Sequence, residues 1–314
     1  MHLVPGLDDG QWAGAPDVFM ERVLQARQAN FWWTHSSAKE SWYDPIAAED
    51  RHEKFCNEFL PTVPPPFALQ PDKQWDKCLP TLPLQRQILY MAIFDSLCHN
   101  FRPVLFQEPN YIQSLPNYKQ VLFSSHQKAL AVAALNLLEV VSTLHVMMGN
   151  SYTRFASIII PTFETAVLLL CLCLDSNLPT EETGDDRSNT INTDPLVAGM
   201  TSVTQDKCIQ AAHCALGRLQ NLAEVSNMAE VGARTLARLV DNIDKIAQLR
   251  QEDGDLTVAK DLAIQVSEAR SCVVQTPESI VRDSLASYLS AGPAFDIFNL
   301  NSEEMGVEFG IERF

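Results

Sequence analysis

The chain has 314 residues, of which 46% are hydrophobic and 20% charged, a balance that is typical of a globular protein with a sizeable core and argues against disorder throughout. Its 39 acidic and 23 basic side chains give a formal net charge of −16, which would repel a nucleic-acid backbone or an anionic membrane surface. We therefore expect no nucleic acid and no membrane as partners of this chain alone.

Helical periodicity dominates the N-terminal part of the chain. Apolar residues at three- and four-residue spacing predict a first helix over residues 18–33, and Asp44 followed by Pro45 predicts the start of a second. The segment "LPTVPPPF" ends that second helix, because prolines lack a backbone donor. A third helix, "LPLQRQILYMAIFDSLCHNF", is apolar on two faces, and Pro103 should push Arg102 out of helical geometry and end it.

Two long, buried helices are predicted in the middle of the chain. The capping box "SSHQ" at residues 124–127 would open the first of them, and "GN" at residues 149–150 would end it. The second, "SIIIPTFETAVLLLCLCL", is apolar on all sides, but Pro161 and Glu164 interrupt it. We interpret this segment as the central helix of a large core rather than as a membrane span.

The last part of the chain combines amphipathic helices with polar segments. An acidic loop near residues 175–200 is rich in turn-forming residues and is predicted to be mobile. Two amphipathic helices are predicted within residues 209–250, and shorter ones near residues 257–273 and 277–289. The tail near residues 294–314 alternates aromatic and acidic side chains, which suits either a docked tail or a partner-binding segment. The fold prediction is therefore one all-α domain over residues 1–314.

Cysteine spacing and missing motifs narrow the chemistry. Eight scattered cysteines without C-x-x-C, and no secretory signal at the N-terminus, indicate reduced thiols in an intracellular protein. Cys208, His213 and Cys214 lie close enough in sequence for zinc ligands, but buried thiols explain them better, so we predict no metal and no cofactor. G-x-S-x-G, H-E-x-x-H and G-x-x-x-x-G-K are absent, which argues against common hydrolase, zinc-protease and nucleotide chemistry.

One stretch carries a resemblance to a known family. "LQRQILYMAIFDSLCHNFRPVLF" resembles the signature helix of the middle homology region of fungal zinc-cluster transcription factors. The matching residues are Leu84, Ile88, Tyr90, Arg102, Pro103 and Leu105. The chain departs from the family pattern at Phe101, where the family usually has histidine.

The resemblance extends on both sides of this helix, over about residues 3–250. It includes "VPGLDDGQW", "EKFCNEFLPTVPPPF", "KALAVAALNLLEVVSTLH", "YTRFASIIIPTFETAVLLLCLCL" and the later "CIQAAHCALGRLQNLAEV". It implies an all-helical regulatory domain. The six-cysteine DNA-binding module of the family, and the first part of its middle homology region, have no counterpart in the sequence.

Two hypotheses of function follow. We favour a cofactor-free enzyme of fungal specialised metabolism that promotes a cyclisation, similar to the hetero-Diels–Alderases of tropolone-sesquiterpenoid pathways. Orienting two reactants can supply about 7–11 kcal/mol, and Met1 lies just before the entry segment, as in a stand-alone cytoplasmic protein, although a fragment would look the same. The alternative, which the resemblance implies, is the effector-binding regulatory domain of a nuclear transcription factor.

Polar residues in or beside the apolar helices are the candidate ligand-binding groups. They are Tyr90, His99, Arg102, His145, Tyr152, Arg154 and Glu164. A charge on an apolar helix needs a partner or a cavity, so Arg154 and Glu164 suit either a structural ion pair or a ligand site. Helix capping and core hydrogen bonds are the structural alternatives for the others. The expected ligand is an apolar or aromatic small molecule, no catalytic residue is assigned, and a homodimer is left open.

Overall fold

The computed structural model describes residues 15–35, 43–149, 156–174, 178 and 194–251. The chain divides into two compact units, Met1–Ser267 and Glu268–Phe314, and every described residue belongs to the first. Within the described ranges all regular structure is helical and no strand occurs, which confirms the all-α prediction. That residues 1–314 form one domain stays a prediction, and the tail and the helices expected beyond residue 251 lie outside the described residues.

The helices of the described residues pack in a simple order. In chain order they are α1 Met20–His35, α2 Pro45–Lys54, α3 Leu82–Phe101, α4 Pro109–Ser114, α5 Asn117–Met147, α6 Ala156–Leu174, α7 Val197–Met200, α8 Gln205–Ala223 and α9 Asn227–Gln251. Helix α1 packs on α3, α3 on α5, and α5 on α6. Helices α8 and α9 pair with each other and cover α6. The long apolar helices α5 and α6 therefore lie at the centre of the core.

The start of α2 follows the predicted capping chemistry. The Asp44 carboxylate accepts a hydrogen bond from the Ile46 N–H at 3.3 Å, and Pro45 occupies the first helical position. Helix α2 continues into a π-helical turn, Phe55–Phe59, whose two phenylalanine rings stack at 5.0 Å in the core. The proline-rich segment that follows ends the helix as expected and forms short 3-10 turns.

The end of α3 corrects one expectation. The helix ends at Phe101, but Arg102 keeps right-handed helical angles (φ −55°, ψ −27°) and its N–H donates to the Cys98 carbonyl. The chain then tightens into a 3-10 helix, Arg102–Phe106. Proline fits its second position, where no backbone N–H is needed. Pro103 therefore changes the type of helix rather than the angles of Arg102.

The start of α5 corrects a second expectation from the sequence. The helix begins at Asn117, directly after Pro116, so Ser124 lies in its interior and the capping-box prediction is wrong. Its end is as predicted, since Gly149 adopts a positive φ of 85°, which favours glycine. In the described part of the chain, α5 is long and apolar enough to cross a membrane, but 61% of its apolar stretch is buried in the protein, as in a core helix.

The described end of the predicted acidic loop is packed. Leu196 is fully buried, and α7 lies against α5. Gly199 is so close to α5 that an added Cβ would lie 2.5 Å from Cγ1 of Val132. The prediction of a mobile loop therefore does not apply to residues 194–200, and residues 179–193 lie outside the described ranges.

Candidate functional site

A cavity of about 520 Å³ lies between the C-terminal end of α5 and α8. Its lining residues are Ser142, His145, Cys214, Gly217, Arg218, Asn221 and Glu224. Small-molecule sites in proteins usually measure about 300–1,000 Å³. The cavity therefore has the size of a binding site for a small metabolite.

Two buried atoms in the lining have no hydrogen-bond partner among the residues that the structure describes. They are Nε2 of His145, a residue that is 7% exposed, and Nη1 of Arg218. Leaving a buried polar atom unpaired costs about 1–3 kcal/mol. Such atoms are normally satisfied by an ordered water or a ligand. The lining therefore offers two polar atoms that a water molecule or a ligand could satisfy.

The lining of the cavity contains one cationic side chain, Arg218, and one carboxylate, Glu224. Burial, followed by the nearby charge of Arg218, lowers the pKa of His145, so this ring is neutral at pH 7. Burial also lowers the pKa of Arg218, but arginine keeps its charge in proteins. A guanidinium beside a neutral imidazole can bind a carboxylate or another small anion through charge-assisted hydrogen bonds.

Sequence reasoning found His145 but missed Arg218. Ala215 and Leu222, which lie three residues before and four residues after Arg218 on α8, are both fully buried. Residues at this spacing share one helix face. A charged side chain on a buried helix face was therefore the sequence signal for this site.

Three of the predicted residues come together elsewhere, beside the end of α3. Burial and the charge of Asp95 raise the pKa of Glu164, whereas His99 and Arg102 are near enough to lower it. His99 is exposed and makes a contact within its own helix, from Nδ1 to the Asp95 carbonyl at 3.1 Å. These residues do not line the cavity, and a ligand-binding role for them stays a prediction.

Tyr90 has a structural contact. Its hydroxyl donates to the Ala68 carbonyl, and burial raises its pKa to about 12. One turn earlier, the Arg86 guanidinium contacts the Asp76 carboxylate at 2.6 and 3.2 Å. Both side chains hold the segment between α2 and α3 onto α3. Tyr152 and Arg154 lie outside the described residues, and so does the proposed ion pair of Arg154 with Glu164.

A buried polar cluster in the N-terminal half was not predicted. The Tyr43 hydroxyl lies 2.5 Å from Nδ1 of His126, and the Glu49 carboxylate lies 2.7 Å from Nε2 of the same ring. The Arg51 side chain donates to Oδ1 of Asn100 at 2.9 Å. The cluster joins segments that are far apart in sequence, so local patterns do not reveal it.

The zinc candidate of the sequence is not assembled in the structure. Cys208 is fully buried, whereas His213 and Cys214 are exposed on the other side of α8. The His213 ring faces Asp244 at 3.6 Å instead. Consecutive positions on a helix point in different directions, so this spacing cannot bring all three side chains to one ion.

Two curated relatives share much of this sequence. Transcription factor xilB from Penicillium rubens is 44% identical over 226 residues, which cover 72% of this chain and 33% of the relative. Probable transcription factor sol4 from Alternaria solani is 39% identical over 254 residues, which cover 77% of this chain and 44% of the relative. No family model and no solved structure matches the chain.

The chain is thus homologous to a part of fungal transcription factors, which confirms the resemblance found in its sequence. The matched part of the chain covers 33% of the length of the first relative and 44% of the second.

Proposed function

We propose that the chain is the effector-binding regulatory domain of a fungal transcription factor and that it does not itself bind DNA. The homology to two proteins named as transcription factors supports this proposal. The formal net charge of −16 supports the second part, because the average field of the chain repels phosphates. An intracellular, nuclear location is part of the same proposal.

The proposed effector site is the cavity between α5 and α8. The observation that carries this assignment is the pair of unpartnered buried atoms, Nε2 of His145 and Nη1 of Arg218. A small organic anion would accept hydrogen bonds from the guanidinium and, with the right tautomer, from the imidazole. Each such bond to a charged group contributes about 1.5–3 kcal/mol.

The apolar or aromatic ligand expected from the sequence remains an alternative to a purely polar one. Most residues of the lining are polar, and Gly217 contributes no side chain. An aromatic carboxylate would satisfy both arguments, since its anionic group would meet Arg218 and its ring would fill the remaining volume. We therefore place aromatic carboxylates first among the effector candidates.

The cyclisation hypothesis takes second place. The two relatives are named as transcription factors, and no contact of the described residues indicates a bond-forming step. Cyclisation remains testable in the same samples, because turnover of an added polyene or quinone methide would appear as a new product.

A ligand-binding comparison of two arginine variants tests the proposal. Small carboxylates, aromatic carboxylates, phosphates and neutral aromatics are added to the purified chain, and melting temperature and calorimetric binding are measured. An anion at about 100 times its Kd should stabilise the fold by roughly 2.7 kcal/mol. Arg218→Gln should weaken this binding at least about 10-fold, the equivalent of about 1.4 kcal/mol.

Arg234→Gln is the matched control, since Arg234 is exposed and pairs with Glu230 on α9. It should bind the anion as the wild type does. Anion binding that is equal in the two variants would remove the cavity assignment, while binding of neutral aromatics alone would replace the anion with an apolar ligand. Light scattering on the same samples tests the homodimer.

A further inference from the structure

Three side chains with metal-binding atoms converge where α2 meets the segment that leads into α7. Nε2 of His52 lies 3.3 Å from Oδ1 of Asp194 and 3.5 Å from Sγ of Cys56. All three ligand atoms lie within 4.8 Å of one another. Among the described residues, this is the group of histidine, cysteine and carboxylate side chains that could hold a metal ion.

Two separate segments position these side chains. His52 and Cys56 lie four residues apart, one on α2 and the other in the π-helical turn Phe55–Phe59, so they share a helix face. Such π-turns occur often at functional sites. The Asp194 carboxylate also accepts the Leu196 N–H at 2.9 Å, which fixes its orientation just before α7. A backbone hydrogen bond therefore helps to hold the carboxylate of this group in place.

Two of the three distances between these atoms match a tetrahedral zinc site. Zinc binds imidazole nitrogen, carboxylate oxygen and thiolate sulfur at about 2.0–2.1, 2.0–2.2 and 2.3 Å. A tetrahedral angle then separates nitrogen from sulfur by about 3.6 Å and nitrogen from oxygen by about 3.4 Å. The structure has 3.5 and 3.3 Å at these two edges.

The geometry does not suit a catalytic triad. In a triad one imidazole nitrogen faces the nucleophile and the other faces the carboxylate. Here the same nitrogen, Nε2 of His52, faces both Cys56 and Asp194. Three donor atoms that lie within 4.8 Å of one another instead suit a ligand set.

The local charge favours a cation. Asp194 and Glu49 place two negative charges near the Cys56 thiol. The same charges attract a divalent cation, which would displace the thiol proton into solvent. A thiolate, a carboxylate and a neutral imidazole then carry two negative charges, and these balance the ion in a largely buried site.

We propose that His52, Cys56 and Asp194 bind one divalent cation of the zinc class. Thiolate and imidazole ligands favour Zn²⁺ or Co²⁺ over Mg²⁺ and Ca²⁺. Three protein ligands leave the fourth position of a tetrahedral ion open to water or to an external ligand. The ion would join α2 to the segment that leads into α7. This inference does not depend on the proposed effector.

Cobalt titration tests the site. The purified full chain is stripped with a chelator and titrated with Co²⁺, and Zn²⁺ is then added as a competitor. One equivalent of Co²⁺ should produce a thiolate-to-cobalt charge-transfer band that Zn²⁺ abolishes. Cys56→Ser should abolish the band, and His52→Gln and Asp194→Asn should each weaken Co²⁺ binding about 10-fold or more, since even outer partners of ligands contribute 10–100-fold.

Two cysteine variants are the matched controls. Cys214→Ser removes an exposed thiol beside His213, and Cys98→Ser removes a buried thiol of α3 that is outside the ligand group. Both should keep the band and the affinity. Far-UV circular dichroism establishes that each variant is folded, and Asp194→Asn, which preserves shape, decides the question if Cys56→Ser is unfolded. The absence of a band, its loss in Cys214→Ser, or wild-type affinity in Asp194→Asn would overturn the proposal.

Discussion

Helix α5 carries two buried histidines with opposite surroundings. His126 is 1% exposed, and both of its ring nitrogens have partners, the Tyr43 hydroxyl and the Glu49 carboxylate. His145 is 7% exposed, and its Nε2 has no partner and borders the cavity. At about 1.5 Å per residue the two lie about 28 Å apart along one helix. Residue type, helix and burial are alike, so the difference lies in the partners.

This contrast separates a structural region from the proposed binding region. A buried ring with both nitrogens satisfied contributes to stability, because unfolding must replace its hydrogen bonds with water. A buried ring with an unpaired nitrogen carries an energetic cost, and a ligand or water that completes it recovers that cost. We therefore expect mutations near His126 to affect folding and mutations near His145 to affect binding.

The largest expected effect on the free energy of unfolding comes from the core between the buried rings of His52 and His126. The ring of Phe101 is fully buried, with its centroid 5.2 Å from the His52 ring and 4.9 Å from the His126 ring. Phe101→Ala should lower the free energy of unfolding by about 3–5 kcal/mol, because it leaves a cavity and removes ring contacts. Urea denaturation measures this.

Phe19→Ala is the control for that experiment, since Phe19 is 61% exposed. It should change stability by less than about 0.5 kcal/mol. If Phe101→Ala lowers the free energy of unfolding by less than about 1 kcal/mol, this region is loosely packed. That result would contradict the difference proposed between it and the cavity end of α5.

The second prediction compares the two histidines directly. His126→Ala should lower the free energy of unfolding by about 2–3 kcal/mol, because it leaves the Tyr43 hydroxyl buried without a partner and opens a void. His145→Ala should cost less than about 1 kcal/mol, since no hydrogen bond of Nε2 is lost. Parallel urea titrations measure both. Equal losses would contradict our division of α5 into two regions.

Local sequence patterns predicted most helices but not every boundary. The period of apolar residues located the helices, and the Asp44–Pro45 start and the Gly149 stop were read from capping chemistry. The start of α5 was missed because a good capping box at residues 124–127 lies inside a longer helix, and packing of the core overrode it. Local rules identify sites where a helix can start, and tertiary contacts decide which one is used.

The candidate sites depended more on long-range contacts, which local patterns do not contain. Tyr43 and His126 are separated by 83 residues, and Asp194 reaches His52 from the segment before α7. No periodicity connects such positions. His145 was predicted because it lies beside the Gly149–Asn150 turn. The partners of each site became visible only in the fold.

A third prediction concerns pH. The pKa of His145 is lowered in the folded state by burial and by Arg218. As the pH falls below the unfolded-state pKa of about 6.5, the unfolded chain therefore binds a proton at His145 more readily than the folded chain does. The stability that the neutral ring contributes is complete above that pH and is lost as the pH falls through the folded-state pKa. Cys214 and Glu224 also line the cavity and share its field.

The test is urea denaturation between pH 7.5 and pH 5 for the wild type and His145→Gln. The other histidines contribute equally to both proteins, so the difference isolates His145. The variant should lose less stability towards acid pH. A steeper loss in the variant would mean that the folded chain prefers the protonated ring, and would contradict the assigned environment.

The smallest expected change in stability comes from a substitution in the cavity wall that separates stability from binding at one position. Gly217 lies within α8 in the cavity wall, and a Cβ there would meet nothing within 4 Å. Gly217→Ala should raise the free energy of unfolding by about 0.5–1 kcal/mol, because alanine favours the helix.

The added methyl group occupies space in the cavity, so the same variant should bind the anionic effector more weakly in calorimetry. Gly199→Ala, which forces a Cβ against Val132, should instead destabilise the fold and leave binding unchanged once the protein is folded. A gain in stability with unaltered anion affinity at Gly217 would mean that the effector binds elsewhere. The unpaired nitrogen of His145 would then be completed by water alone.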